Sequence, residues 1–177
     1  MKYNIETIVN ESTQDYLFFW GHQPSKDGSI IKTCMSQWWP APFEEDGIVY
    51  KTAEHYMMAG KARLFKDEVT LERILQKDSP KDVKDLGRQI QHFDADLWDS
   101  KKFEIVRRAN YLKFSQNKEL TSFLSQTGTK ILVEASPVDR IWGIGLAEDH
   151  PDAKNPLKWK GENLLGFALM EVRDQLK

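Results

Sequence analysis

The segment from Tyr50 to Arg63 places a carboxylate and an amine on one face of a predicted helix. Thr52 is a suitable N-cap for this helix. Glu54 and Lys61 come after it and are seven residues, or two helical turns, from each other. That spacing is too wide for the ion pairs that stabilise exposed helices, which form at three or four residues. It suits a site that holds one small molecule from two points. The alternative is a solvated polar face of the helix.

Lys61 is a candidate nucleophile only if its amine can lose its proton near neutral pH. Partial burial would lower the pKa of this lysine in the required direction. The neighbours Met57, Met58 and Phe65 favour such burial, because they are large and apolar. The sequence therefore predicts a half-buried amine at this position if the pair is catalytic.

A second candidate is the segment from Asp139 to Gly145. Its glycines flank Trp142 in a predicted loop, which indicates backbone that approaches another group closely and an indole available for stacking. Asp139 supplies an acid or an acceptor for a hydroxyl beside that indole. A tight turn anchored by Trp142 explains the same residues. The segment does not match a dinucleotide-binding loop, because no strand–glycine turn–helix arrangement surrounds it.

Three single residues give weaker signals, each with a structural alternative. Trp98 is either a hydrophobic staple at the start of a helix or a ligand contact. Arg88 follows a glycine and is either an exposed helical arginine or a phosphate ligand. Asn163 precedes the last predicted helix, where it either caps the helix or marks an anion site at the helix N-terminus.

The elements that must position these residues are mostly helices. Short strands are predicted near the N-terminus at residues 16–20, from residue 30 and at residues 48–50, and another is an option at residues 131–133. Helices are predicted from Thr52, over residues 68–76, from Ser79 to about Ile90, from Asp99 or Ser100 to about Ser115, from Asn117 to Gly128, and over residues 163–176. Residues 136–161 are loop-rich, which in a compact domain is usually functional or mobile. We expect a mainly α fold, a single compact multi-helical domain over residues 1–177 with a small β element near the N-terminus.

Composition excludes several classes of site. The 177 residues are 40% hydrophobic and 29% charged, which is ordinary for a globular domain. The single cysteine, Cys34, excludes an internal disulfide and suits a reducing compartment. The four histidines lie far apart in the sequence without ligand spacing. We therefore expect no metal site.

Charge and hydropathy indicate a cytoplasmic protein with a small ligand. No run approaches the roughly 18 apolar residues of a membrane span, and the first residues lack the apolar core of a signal peptide. The formal net charge of −2 argues against a protein that coats a polyanion. A small nucleotide that is recognised locally is compatible with that charge. Six tryptophans, several of them in predicted loops, can supply stacking surfaces for it.

A set of short motifs follows one another in a characteristic order over about residues 16–176. They are Phe18-Phe19, Ser36-Gln37-Trp38 with Pro42-Phe43, the segment Tyr50 to Tyr56, Lys61-Ala62, Gly87-Arg88, Trp98, Arg107-Arg108-Ala109 with Lys113-Phe114, the segment Asp139 to Gly143, the segment Gly161 to Gly166, and the segment Leu169 to Arg173. This ordered set resembles the NADAR family, which includes the riboflavin-intermediate N-glycosidases.

The resemblance implies a mainly helical domain that hydrolyses N-glycosidic bonds without a metal or redox cofactor. It implies catalytic roles for Glu54, Lys61 and Asp139. The residues that it implies for substrate binding are Ser36, Trp38, Arg88, Trp98, Trp142, Gly143 and Asn163. Among these, Arg88 would bind a phosphate, and Trp98 and Trp142 would stack on the base.

The resemblance leaves the substrate open between two classes and a third alternative. The classes are ribosylamino-pyrimidine phosphates of the riboflavin pathway and ADP-ribose on guanine, the latter within nucleic acid if Arg107, Arg108 and Lys113 form a basic patch. The third alternative is a module that binds a nucleotide or ADP-ribose without cutting it.

Two departures from the family pattern bear on the choice of substrate. The family's usual Ser-Asn-Phe reads Ser36-Gln37-Trp38 here, and the loop from Leu146 to Lys160 is longer than in the compact bacterial glycosidases.

Overall fold

Helices make up most of the regular structure, as the sequence predicts. The computed structural model describes residues 1–10 and 15–177. The helices are α1 (Ile5–Val9), α2 (Ala53–Leu64), α3 (Glu68–Gln76), α4 (Pro80–Gly87), α5 (Ala95–Gln116), α6 (Lys118–Gln126) and α7 (Leu164–Gln175). The strands are β1 (Tyr16–Phe19), β2 (Phe43–Glu45), β3 (Ile48–Tyr50) and β4 (Ile131–Glu134). The predicted mainly α fold is confirmed.

Contacts within the chain divide it into two units. The central unit is Gln37–Asn117, and the terminal unit is Met1–Ser36 together with Lys118–Lys177. The terminal unit is therefore built from both ends of the chain. The expectation of one domain over residues 1–177 stays a prediction.

In the central unit, α2 packs against α3, α4 and α5. The hairpin β2–β3 precedes it and turns at Asp46 and Gly47, which both have positive φ (52° and 77°), as a type I′ turn requires. Thr52 then caps α2 by accepting a hydrogen bond from the backbone N–H of His55. This hairpin is the small β element that the sequence predicts, and it delivers the chain to the helix of Glu54 and Lys61.

Two helix boundaries of the central unit differ from their predictions. Helix α4 ends at Gly87 rather than near Ile90. Helix α5 begins five or six residues before the predicted position, because Asp94 is its N-cap and accepts a hydrogen bond from the backbone N–H of Leu97 at 2.8 Å. As a result Trp98 lies four residues inside α5.

In the terminal unit, β1 and β4 form a parallel pair in which Tyr16 is opposite Ile131 and Phe19 is opposite Glu134. Helix α7 packs on β4, and a Cβ at Gly166 would lie only 2.1 Å from the carbonyl oxygen of Leu132. The predicted strand from Ile30 is wrong, since a 3₁₀ turn over Lys32–Met35 follows these residues instead. The loop-rich segment 136–161 is confirmed, with one 3₁₀ turn at Pro156–Lys158.

Over residues 1–10 and 15–177, none of the helices is both long enough and apolar enough to cross a membrane.

Candidate active site

Lys61 is half-buried near the C-terminal end of α2. Its Nζ donates a hydrogen bond to the carbonyl oxygen of Gly87 at 2.8 Å. The same Nζ lies 4.3 Å from the centroid of the Phe93 ring and 5.6 Å from that of Trp98. Burial lowers the pKa of this lysine from its ordinary value of 10.5. The structure therefore provides the half-buried amine that a catalytic interpretation of Lys61 requires.

The two rings beside Lys61 occupy defined positions around the start of α5. With Asp94 as the N-cap, Phe93 is at the position before the cap and Trp98 is the fourth helical residue, which are the two positions of a hydrophobic staple. The two alternatives for Trp98 are thus compatible, because a residue at a staple position also faces the Lys61 amine. Sequence reasoning missed Phe93, whose signal was its place directly before a good N-cap in Phe93-Asp94.

Glu54 lies in the first turn of α2 and is only 4% exposed. Its backbone N–H donates to the carbonyl oxygen of Gln37 at 3.0 Å. The partial positive charge of the helix N-terminus stabilises a carboxylate in this turn. Glu54 and Lys61 are about 10 Å apart along the helix axis, since each residue rises by about 1.5 Å. This spacing is wider than the three or four residues at which helical ion pairs form.

The residues of the Ser36-Gln37-Trp38 motif have different surroundings. The Gln37 side chain is buried, and its Oε1 accepts a hydrogen bond from Nδ2 of Asn110 at 2.8 Å. The indole of Trp38 is half-buried, and the Nζ of Lys84 lies 5.8 Å from its ring centroid. The backbone N–H of Ser36 ends the 3₁₀ turn by donating to the carbonyl oxygen of Thr33 at 3.1 Å. Gln37 is thus part of the interior of the central unit, whereas part of the Trp38 side chain is accessible to solvent.

Arg88 is exposed and directly follows the last residue of α4. Its Nη1 donates to Oδ1 of Asp85 at 2.9 Å. Because this ion pair is exposed, it costs little to exchange Asp85 for another anion. A phosphate role for Arg88 stays a prediction.

In the terminal unit, the Asp139 carboxylate orders its own loop. Its Oδ1 accepts hydrogen bonds from the backbone N–H groups of Ile141 at 2.9 Å and Trp142 at 2.8 Å. The carbonyl oxygen of Asp139 accepts a third from Gly145 at 3.0 Å. The tight turn that the sequence offered as an alternative is therefore present. A chemical role for Asp139 would have to be compatible with these bonds.

Asn163 has a structural partner on both polar atoms of its amide. Its Nδ2 donates to the carbonyl oxygen of Leu132 at 3.0 Å, and its Oδ1 accepts from the backbone N–H of Glu134 at 3.0 Å. The residue is fully buried, and its side chain makes no capping bond to α7 among the described residues. Asn163 therefore occupies the N-cap position of α7, as one of the two alternatives has it, but its amide is engaged along β4 instead of bonding to the helix. The backbone N–H of Asn163 donates to the carbonyl oxygen of Gly143 at 3.1 Å, which holds the Asp139 loop to the same strand.

Most of the predicted site residues thus fall into two local groups, which leave out Ser36, Trp38 and Glu54. The central unit brings Lys61 to Trp98 and, through Gly87, to the α4 terminus that precedes Arg88. The terminal unit places the other group on one loop that is bound to β4; it comprises Asp139, Trp142, Gly143 and Asn163. Within residues 1–10 and 15–177, no group of three or more histidine, cysteine or acidic side chains is arranged to hold a metal ion.

The predicted basic patch does not form in full. Arg107 pairs with Glu104, and the guanidinium of Arg108 pairs with Glu45 at 2.7 Å. The third member, Lys113, is fully buried. With Lys113 buried, these residues form a smaller basic surface for a nucleic acid backbone than the sequence predicts.

Comparison with known proteins defines the class of this chain. A model of the NADAR domain matches residues 18–177, so the chain belongs to the NADAR family. It is an enzyme, a hydrolase that acts on N-glycosyl bonds.

Individual relatives share most of their length with this chain. It is 42% identical over 168 residues to N-glycosidase R617 of Acanthamoeba polyphaga mimivirus, which covers 92% of this chain and 97% of the relative. It is 36% identical over 135 residues to N-glycosidase YbiA of Escherichia coli, covering 76% of each. The NMR structure of the E. coli protein YbiA has a similar fold, with a TM-score of 0.73 and 31% identity over 95% of this chain and 89% of that one.

Proposed function

We propose that this enzyme hydrolyses the N-glycosidic bond between a ribose phosphate and an amine-bearing base, with the ribosylamino-pyrimidine phosphates of the riboflavin pathway as its substrates. The observation that carries the proposal is the environment of Lys61. Its amine has a lowered pKa, faces two aromatic rings and shares a helix with the buried carboxylate of Glu54. The N-glycosidase names of the relatives support the same bond class.

Glu54 is proposed to stabilise the charge that develops at the sugar. Cleavage of an N-glycosidic bond builds positive charge at C1′, and a buried carboxylate nearby lowers the energy of that transition state. The burial of Glu54 strengthens this interaction, because little water screens it. The same carboxylate can activate the water that completes hydrolysis.

Lys61 is proposed to act as a nucleophile toward an opened ribosylamine, which carries an imine at C1′. The neutral amine adds to C1′, the base nitrogen takes up a proton and leaves as a free amine, and a Schiff base joins C1′ to Lys61. Water then adds to C1′, which regenerates the Lys61 amine and releases the ribose phosphate. The lowered pKa of Lys61 supports this route, since it increases the neutral fraction.

The other predicted residues receive binding roles in this proposal. Trp98 stacks on the base, where each aromatic contact contributes roughly 1–3 kcal/mol. Arg88 binds the phosphate in place of its exposed partner Asp85. The roles of Asp139 toward ribose hydroxyls and of Trp142 toward the base rest on the family resemblance alone. The reduction of the predicted basic patch supports a small substrate over guanine that is ADP-ribosylated within nucleic acid.

The test is to offer both substrate classes and follow base release by mass spectrometry. Wild-type enzyme should release the free aminopyrimidine from its ribosyl phosphate. Release of guanine from ADP-ribosyl-guanine alone would replace the proposed substrate with the second class. A ligand that binds tightly and is recovered intact after long incubation would show a binding module instead.

Two variants test the assigned roles. Lys61→Arg keeps the positive charge but cannot form the Schiff base, so borohydride reduction during turnover should label the Lys61 peptide in the wild type only. Glu54→Gln keeps the shape of the side chain and should lower kcat by roughly 100-fold. Near-wild-type turnover in Glu54→Gln, or an adduct that persists in Lys61→Arg, would remove the corresponding residue from the chemistry.

A further inference from the structure

Gly87 is a glycine whose backbone does not require one. It is the last residue of α4, and its φ does not lie in the left-handed region. Glycine weakens a helix relative to alanine, because it loses more conformational freedom on folding. Conformation alone would therefore favour alanine at this position. The reason for glycine must lie in what surrounds it.

The surroundings leave no room for a side chain. A Cβ on Gly87 would lie 2.0 Å from Sδ and 3.1 Å from Cγ of Met58. Met58 is buried on α2, between Glu54 and Lys61 in the sequence. The bare Cα thus lets the last turn of α4 lie directly against α2.

The carbonyl oxygen of this same residue is the acceptor for the Lys61 amine at 2.8 Å. A lysine side chain has four rotatable bonds, and its compact amine accepts many orientations. A carbonyl at the negative end of a helix attracts that amine and limits where it can point. The close approach of α4 and the placement of Nζ are therefore consequences of one missing methyl group.

We propose that Gly87 is a positioning residue for Lys61, because its bare Cα admits the α4 terminus beside Met58 and its carbonyl then holds Nζ against the Phe93 and Trp98 rings. This inference rests on the proposed role of Lys61 as the nucleophile. It adds that the reactivity of the amine depends on the packing of α4 against α2.

The first variant is Gly87→Ala. Its Cβ must displace either α4 or the Met58 side chain, which is flexible but buried. Displacement of α4 moves the carbonyl from Nζ and admits water to the amine. A displacement of about 1 Å can cost 100-fold in rate, so kcat should fall by roughly 10- to 100-fold. The pKa of Lys61 should rise toward 10.5, since burial is the cause of its lowering.

The matched control is the double variant Met58→Ala/Gly87→Ala. Of the three Met58 atoms nearest to the new methyl group, only Cβ then remains, at 3.6 Å, which is ordinary van der Waals contact. Both kcat and the Lys61 pKa should return to the values of the single variant Met58→Ala. If Gly87→Ala does not fold, Met58→Ala/Gly87→Val takes its place as the crowded variant. The larger valine side chain then crowds α2 in the space that the Met58 side chain has left, and this variant is compared with Met58→Ala/Gly87→Ala.

Two readouts keep this inference separate from the proposed function. The pKa of Lys61 in the free enzyme is measured by NMR of ¹⁵N-labelled lysine, and kcat is measured across pH. An unchanged Lys61 pKa and kcat in the crowded variant would overturn the positioning role of Gly87. A changed Lys61 pKa with unchanged kcat would support the contact and remove Lys61 from the chemistry. Loss of kcat that the double variant does not restore would also overturn the inference.

Discussion

Asp67 accepts a hydrogen bond from the backbone N–H of Gln91 through its Oδ2 at 2.9 Å, across 24 residues of sequence. Its other oxygen, Oδ1, caps α3 by accepting from the backbone N–H of Thr70 at 3.0 Å. These N–H donors, that of Gln91 first, hold the pKa of Asp67 below its ordinary value. The ring of Phe65 lies 5.3 Å from that of Phe93. Asp67 and Phe65 together fix the segment that brings Phe93 to Lys61.

Replacing Asp67 by alanine should therefore cost more than the loss of a helix cap. Asp67→Ala removes the acceptors of two backbone N–H groups, and we expect a loss of about 2–3 kcal/mol in the free energy of unfolding. The control is Ser79→Ala, which removes only the α4 cap and should cost about 0.5–1 kcal/mol. Urea denaturation measures both. Equal losses in the two variants would show that the bond to Gln91 contributes nothing.

Removing the Phe93 ring should change the pH dependence of turnover. Attack requires a neutral amine, so kcat should rise with pH through the Lys61 pKa, which burial holds below 10.5. Phe93→Ala exposes Nζ to water, and the acid limb of the pH profile should move to higher pH. The control is Leu97→Ala, which removes an exposed apolar side chain from the first turn of α5, close to Phe93 in the sequence. An acid limb that Phe93→Ala leaves in place would contradict the assignment of that limb to Lys61.

His55 should make the fold less stable in acid. Its Nε2 lies 3.2 Å from the carbonyl oxygen of Lys77, which can only accept, so Nε2 carries the proton and Nδ1 accepts from the Thr52 hydroxyl at 2.8 Å. Burial lowers the pKa of this neutral ring below 6.5, with Lys51 and Asp78 acting in opposite directions.

The sign of the effect follows from that lowered pKa. The contribution of His55 is complete above pH 6.5 and is lost as the pH falls through the lower folded-state pKa, by at most about 1.4 kcal/mol per pH unit. Urea midpoints on both sides of pH 6.5 measure the slope. His55→Gln should reduce it, and a slope that is the same in this variant would assign the acid sensitivity to other groups.

Asn163 should be among the residues that tolerate substitution least. Asn163→Ala leaves the carbonyl oxygen of Leu132 and the N–H of Glu134 without their partner and puts alanine at a φ of 55°. We expect a loss of about 3–5 kcal/mol, measured by chemical denaturation. Asn163→Gly loses the same hydrogen bonds without the backbone strain and should be about 1 kcal/mol more stable than Asn163→Ala. If both variants unfold like the wild type, the amide bonds to β4 are not stabilising.

Two substitutions can separate the structural role of Asp139 from its proposed chemical role. Asp139→Asn keeps an oxygen that can accept from Ile141 and Trp142, so its thermal stability should match the wild type. Its kcat should fall by roughly 10- to 100-fold if the negative charge serves the reaction. Asp139→Ala should lose both stability and turnover. Wild-type turnover in Asp139→Asn would limit this carboxylate to ordering its loop.

The helix of Glu54 and Lys61 was predictable because its signals are local. The cap at Thr52 and the two-turn spacing depend only on neighbouring residues, and the structure has both. The start of α5 was placed wrongly because Asp94, Asp99 and Ser100 are all competent caps, and the local sequence does not rank them. The family resemblance was carried by motifs in order along the chain, and the match over residues 18–177 confirms it.

The surroundings of Lys61 were not predictable, because they depend on how separate helices pack. Gly87 and Phe93 contact the amine only after α4 and the start of α5 are placed beside α2. The amide bonds of Asn163 likewise require the position of β4, about thirty residues earlier in the chain. The sequence suggested both strands of the β1–β4 pair but contained no signal for their pairing. Such contacts are non-local, and periodicity does not encode them.

The parallel pairing of β1 with β4 determines when each part of the protein can fold during synthesis. The ribosome releases Tyr16–Phe19 more than one hundred residues before their partners at Ile131–Glu134. The central unit is continuous in sequence, so it can fold before β4 has been synthesised and while β1 is still unpaired. Closing so long a loop is slow, and until it closes β1 exposes an unpaired, aromatic strand edge. The nascent chain is therefore most prone to aggregate in that interval, after the helix of Lys61 has formed and before the last third of the chain has emerged.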